Sequence, residues 1–475
     1  MGNSASSSGG KAEWKGPFSD QEYDCLVAKF QDVTTAAPAI PDNLLHVSLS
    51  TSIPAELSTR ILQLGASFYD LCLHTRQVDG RDASSKTLQL IDFVQAVAAC
   101  VRSSSQTVVR SLFRLFTSKD SASISQGELV QLLLALLIMA SETTNISDED
   151  PQRTLHVATQ LATAALDYSG AAAAGQLSTD AYLRWVNAQF PLLYSVFVSW
   201  LSVRCFGAIA RPSYHPPQLS HKSDILSSAH FVCLSAVTNP IQKSLLRLYT
   251  SAQDGLSFNR LSFHLLGYTG PTLVVIQDTE GGTGRLSQDH LPHRNMVDHS
   301  QFHSSPVFGM FCDSEWKEST RPYGGNGCFL FRIEPEITIY RVSGSSDGGV
   351  MYLNSKGYSL PRGIGMGGTT SKFRLFLSED LDEGSYTTTK CMAFEGGRLS
   401  SRENFTIQAM EVWGCGGEDD VMRQKAFRND TAEMINRARK VDKAQFVGSD
   451  FDKEMFLGKT FGHGADQARV ADDEH

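Results

Sequence analysis

Apolar positions change rhythm once along this chain. From about Ser19 to Val237 they recur at three- and four-residue spacing, the period of a helix face, and from about Thr272 to Trp413 they gather in short β-branched and aromatic runs. The first stretch predicts helices over Ala55–Leu73, Leu90–Val101, Val108–Phe116, Glu128–Ala140, Leu155–Leu166, Asp180–Val186 and Leu192–Phe206. Ahead of them Ser19-x-x-Glu22 reads as a capping box opening an apolar stripe of Tyr23, Leu26, Val27 and Phe30. Ser223–Ala236 and Ile241–Thr250 carry the helical pattern across a Pro-rich turn at Arg211–Pro217, near which the domain boundary is expected. Strands are expected at Thr272–Gln277, Val307–Cys312, Cys328–Glu334, Ile337–Val342, Met351–Asn354, Phe373–Leu377 and Ile407–Trp413. Gly, Pro, Asp and Ser separate them, which favours antiparallel over parallel pairing. The class is α+β, with a flexible 1–18, a helical 19–210, a linker 211–222, a β-rich 223–415 and a tail 416–475.

Composition narrows the function. The net charge of −9 over 475 residues speaks against a dedicated nucleic-acid binder. Nine cysteines, none in a C-x-x-C pair, fit a reducing compartment and mostly buried thiols. The apolar runs Leu129–Ala140 and Leu192–Val203 fall short of the roughly 20 residues of a membrane span and read as core helices. Met1-Gly2-Asn3-Ser4-Ala5-Ser6 fits the N-myristoylation pattern, so Gly2 is expected to carry an acyl chain. One such chain binds membranes only marginally, on the order of 10⁴ M⁻¹. With no cysteine beside Gly2, the second contact is expected to be a protein on the membrane.

Two helix–loop–helix joints resemble EF-hands. In Thr117–Glu128, Ile124 and Glu128 occupy the hydrophobic eighth and the acidic twelfth positions, but Thr117, Lys119 and Ser121 replace the carboxylates and Ala122 the glycine. In Arg81–Asp92, Leu88 and Asp92 fit while Arg81, Ala83 and Ser85 do not. A hard cation needs several anionic oxygens. A scaffold that binds no calcium is expected, its paired helices offering a groove to a partner. The alanine run Ala171–Ala174 reads as a connector.

The later half holds an ordered set of segments: Leu248-Tyr249-Thr250-Ser251, Asp254-Gly255-Leu256-Ser257-Phe258, Gly270–Ile276, Val307–Phe311, Cys328-Phe329-Leu330-Phe331, Gly363–Gly368 and Glu411-Val412-Trp413. Together, in this order, they resemble the TLDc family. The resemblance implies two antiparallel sheets with flanking helices. It implies a non-enzymatic adaptor or regulator that docks on the vacuolar-type proton ATPase at lysosomal or vacuolar membranes. A link to mTOR-type nutrient or stress signalling, with mTOR-pathway partners, follows from the same likeness. The competing reading is an oxidation-resistance protein with redox-active cysteine chemistry at Cys312 and Cys328.

No residue constellation nominates an active site, a cofactor or a metal. Gly363, Gly365 and Gly368 match G-x-G-x-x-G, but a strand pattern follows where a dinucleotide site needs a helix, so a tight loop is expected. Glu411 beside Trp413 is expected to satisfy loop amides rather than act as a base. His290, His293, His299 and His303 lie in a polar insertion without a cysteine. In the tail, Asp430-x-x-Glu433 reads as a capping box opening a helix over Asp430–Gln445. Its narrow stripe of Met434, Ile435, Ala438 and Val441 is the expected partner-binding surface, with Gly414–Gly417 as a hinge.

Overall fold

The computed structural model describes residues 15–34, 42–78, 88–118, 121–142, 150–279, 305–343, 349–357, 359–369, 372–391 and 393–447. The helical half comprises α1 (Asp20–Thr34), α2 (Asp42–Leu45), α3 (Thr59–Leu62), α4 (Leu64–Val78), α5 (Leu90–Val101) and α6 (Ser105–Phe116). After β1 (Ser123–Ser125) come α7 (Gln126–Glu142), α8 (Pro151–Tyr168), β2 (Gln176–Ser178), α9 (Thr179–Gln189) and α10 (Tyr194–Phe206). The single helix expected over Ala55–Leu73 is thus three pieces, a 3₁₀ turn at Ala55–Leu57, then α3 and α4. The α1 box forms as read: Ser19 N–H donates to Glu22 at 3.0 Å, and Glu22 N–H to the Ser19 hydroxyl at 3.3 Å. Both apolar runs are core helices; α7 buries every residue from Leu129 to Leu137. Among the described residues no single helix is long and apolar enough to cross a membrane.

The alanine connector turned out to be the mate of the Thr117–Glu128 loop. β1 and β2 pair antiparallel with Ile124 opposite Leu177, both fully buried. This two-stranded ladder joins the loop between α6 and α7 to the loop between α8 and α9. Gly175 takes a left-handed φ of 62° two residues before Leu177.

The second half adds β3 (Gln218–Leu219), α11 (Ser228–Ser235), β4 (Ser244–Thr250), α12 (Ser251–Asp254), α13 (Phe258–Leu265) and β5 (Thr272–Asp278). Then follow β6 (Val307–Cys312), β7 (Phe329–Glu334), β8 (Thr338–Arg341), β9 (Met351–Asn354), β10 (Gly363–Thr369), β11 (Lys372–Ser378), β12 (Glu383–Tyr386), β13 (Asn404–Gly414) and α14 (Glu418–Val447). The strands run β8-β7-β6-β5-β13-β12-β11-β10-β9, all antiparallel, with β4 on β13 and β3 parallel to β4. β13 is the crease: its first residues pair with β12, its last with β5 and β4.

Two expectations fail here. Ile241–Thr250 is mostly strand, because Leu245 and Tyr249 pack to opposite sides of the sheet in two separate cores. The glycine run is strand β10 rather than a loop: bare Gly365 leaves room for the Phe373 ring, 2.6 Å from where a Cβ would stand.

The structure has three layers. Val274, Ile276, Phe308, Met310 and Leu330 face Met351, Leu353, Ile364, Met366 and Leu375 across the sandwich. On the other side Leu273, Val275, Phe311, Phe329 and Phe331 join the core of the helical half. Central strands buried on both faces read as unbroken apolar runs, which is how β5 and β6 look. The seam is also polar. Gln160 of α8 donates to Glu334 and to the Pro335 carbonyl, Ile339 N–H to Gln189 at 2.7 Å, and Arg341 to the Ala188 carbonyl at 2.9 Å.

Candidate partner-binding surface

The tail helix begins at Glu418, twelve residues before the expected box. Asp430 lies inside it. The start is fixed by chemistry that the Asp430 reading overlooked: Glu418, Asp419 and Asp420 sit in the first turn, where the helix dipole favours negative charge. Asp420 also accepts from Gly417 N–H at 3.0 Å. Nor is Gly414–Gly417 a hinge. Gly414 pairs with Thr272 and Leu246 in the sheet, Cys415 N–H donates to the Pro271 carbonyl, and Gly416 N–H to Tyr268 Oη at 2.9 Å.

The first half of α14 is bolted to the domain. The Thr269 hydroxyl donates to Asp420 at 2.5 Å. Gln424, buried, donates to the His264 carbonyl at 2.7 Å, and Arg428 donates to the Phe263 carbonyl at 3.1 Å while stacking 4.4 Å over the Phe263 ring. Phe427 lies across Gly267, whose φ is 78°; a Cβ there would stand 2.4 Å from the ring.

Beyond Thr431 the helix leaves its support. Every described side chain from Ala432 to Arg437 is exposed, Met434 at 62% and Ile435 at 48%. At 100° per residue, Thr431 and Ile435 prolong the face on which Gln424 and Arg428 grip the domain. Ala438 and Val441 belong to α14, but their side chains lie outside the described residues, as do Gly2 and the four insertion histidines. Sequence reasoning missed Phe263 and Phe427, 56% and 47% exposed, which bring the apolar surface back onto the domain. Half-exposed aromatics on two neighbouring helices carry no periodic signal.

The remaining candidates are structural. Glu411, buried, accepts from the Ser223 hydroxyl at 2.6 Å, Asp224 N–H at 2.8 Å and Trp413 Nε1 at 3.0 Å, tying β13 to the segment ahead of α11. Cys312, Cys328 and Cys415 are buried, and burial pushes all three thiols up, away from the reactive thiolate. In the first loop Glu128 is already engaged. Arg60 Nη2 stands 2.9 Å from it, Ser118 Oγ 3.0 Å, and Ser125 N–H donates at 3.0 Å. Burial alone would raise the Glu128 carboxyl, but the Ser125, Ser118 and Arg60 bonds hold it below the ordinary value. Asp92 is spent on a buried ion pair with Arg76; residues 81–87 lie outside the described residues. At the seam, His230 Nε2 is 3.6 Å and His156 Nε2 3.7 Å from Glu334.

Residues 219–416, which hold the creased sheet and Glu411 but not α14, match the TLDc domain. This region of the chain carries a TLDc domain, and the chain resembles the MTOR-associated protein MEAK7. It is 32% identical to that protein of Gallus gallus over 170 residues, 36% of this chain and 31% of the relative. With that of Homo sapiens it shares 32% over 183 residues, 38% and 34% of the two chains. Oxidation resistance protein 1 of Xenopus laevis is 26% identical over 204 residues, 42% and 20%. The chain thus spans about a third of the length of the MEAK7 relatives it matches. The names of these relatives speak of association with MTOR and of oxidation resistance.

Proposed function

We propose that this chain is a non-enzymatic adaptor that docks on the vacuolar-type proton ATPase at lysosomal or vacuolar membranes and links it to mTOR-type signalling. The single observation that carries the reading is α14. A helix bolted to its domain through Arg428 and then running on with Met434 and Ile435 exposed presents an apolar stripe on a rigid base. A helical stripe with anchors at three- and four-residue spacing is a recurrent way of meeting a partner. The ATPase as partner is inferred from the TLDc likeness, the mTOR link from the names of the relatives.

Two further elements complete the proposal. Gly2 carries a myristoyl chain that brings the adaptor to the membrane surface. The paired loops joined by β1 and β2 form a degenerate EF-hand-like scaffold without calcium. Thr117, Ser121 and the alanine loop offer no carboxylates, and Arg60 already satisfies Glu128. The redox alternative is the weaker reading, because the Cys312 and Cys328 thiols are buried and pushed up.

Affinity purification of the tagged chain from detergent-solubilised membranes tests the partner class. Co-elution of ATPase subunits is expected. Their absence, with a thiol titration finding one strongly acidic cysteine, would instead favour the redox reading.

A further inference from the structure

We propose that Arg428 and Arg260, on either side of Phe263, form the charged end of the partner surface, and that the protein docking there presents an aspartate or glutamate carboxylate between apolar side chains. The inference rests on the reading of α14 as a partner-binding helix and names the chemistry of what that helix meets.

Arg428 is held in place but not neutralised. Its Nη2 donates to the Phe263 carbonyl at 3.1 Å, and the guanidinium lies 4.4 Å from the Phe263 ring. Its Nε is enclosed without an acceptor, and the side chain forms no ion pair among the described residues. Burial lowers its pKa from the ordinary value, and no anion opposes that shift. Arg260 is exposed on the same face of α13 as Phe263 and His264, and it too has no ion pair among the described residues.

The carboxylates of α12, α13 and α14 do not fill this gap. Asp254 stands 3.4 Å from the His264 imidazole. Asp420 already accepts from the Thr269 hydroxyl and Gly417 N–H. Glu418 and Asp419 lie more than two turns before Arg428. Asp430 and Glu433 lie roughly 160° and 140° around the helix from it, and Glu433 is engaged by Arg437 at 3.1 Å. Two arginines thus stand against one carboxylate, Asp254.

The surroundings are apolar. Phe263 and Phe427 are 56% and 47% exposed, and Ile435 follows Arg428 by two turns on the same face of α14. Arginine and large apolar side chains in one patch are the groups that carry binding at protein interfaces. A partner carboxylate supplies the anion that Arg428 and Arg260 lack, in a charge-assisted hydrogen bond. Its apolar neighbours cover Phe263 and Ile435.

The test places the photo-crosslinker p-benzoylphenylalanine at position 263, where it keeps an aromatic ring under Arg428, or at position 435, in the full-length tagged chain in cells. Both positions should capture the same protein, and the peptide captured at 263 should contain an aspartate or glutamate. Arg428→Glu should weaken the complex at least roughly tenfold, and lysine in place of the captured acidic residue should restore it, which loss of helix docking alone would not allow. If the captured protein is no subunit of the proton ATPase, the ATPase reading fails and this proposal stands. Capture at 435 without capture at 263 would overturn it. So would a peptide from a second copy of this chain or from its own 448–475, a charge swap without rescue, or no capture at either position.

Discussion

The two halves of α14 share one helix and one face, yet they answer to different forces. From Asp420 to Arg428 the side chains find partners on the domain in Thr269, His264, Phe263 and Gly267. From Ala432 to Arg437 the same helix has no support and keeps Met434 and Ile435 in water. An isolated helix of this length is marginal, so the outer half depends on the inner for its shape. The difference separates two jobs that a stripe of apolar residues cannot reveal by itself: one half of the helix contributes to the fold, the other only to a partner.

The largest effect should come from cutting at the boundary between these jobs. Ending the chain before Glu418 removes the Asp420, Gln424 and Arg428 bonds and uncovers Tyr268, and should cost about 3–5 kcal/mol in a denaturant melt. Ending it after Thr431 should cost less than about 0.5 kcal/mol. Equal losses for the two truncations would erase the distinction. A narrower cut is Gly267→Ala. The new methyl group meets Phe427 and strains a left-handed backbone, and about 2 kcal/mol should be lost, with faster amide exchange confined to α13 and α14.

Acid should act elsewhere. Burial first, against the pull of Glu334, holds His230 at about 4, below its ordinary 6.5. The unfolded chain therefore takes up this proton first, so stability is full above pH 6.5 and falls as pH drops towards 4, by on the order of 3 kcal/mol. Glu334 is held below 4.5 by His156, His230 and Gln160 despite its burial, so its contribution is lost only at still lower pH. His230→Asn should flatten the upper window, and ending the chain after Thr431 should leave the slope unchanged. A slope that vanished with the outer helix would place the titrating group in the wrong region. The smallest effect on folding belongs to Met434→Asp with Ile435→Asp, under about 0.5 kcal/mol in the same melt.

How much of this was legible in the sequence depended on how local the physics was. The core helices and the strands of the sandwich announced themselves by period, because each is a face or run of apolar residues. Glu411 was readable as an amide-satisfying carboxylate because Trp413 stands beside it. The start of α14 was hidden: Asp430-x-x-Glu433 imitates a cap, whereas the true one at Asp420 relies on Thr269, about 150 residues away, and on Gly417. β4 was taken for helix because Leu245 and Tyr249 also fit helical spacing, and only the sheet on either side decides. The Ala171–Ala174 loop gave no hint of its pairing with Thr117–Glu128, because a run of alanines carries no local signal and the Ile124–Leu177 contact is long-range.

The central claim is that the outer half of α14 binds a partner and does not hold the fold. The direct measurement is co-purification of vacuolar-type ATPase subunits with three tagged proteins: the full chain, the chain ended after Thr431, and the chain carrying Met434→Asp and Ile435→Asp. All three should melt alike, and only the full chain should retain the ATPase subunits. Equal retention by the three, or loss of retention only where melting also collapses, would contradict the account.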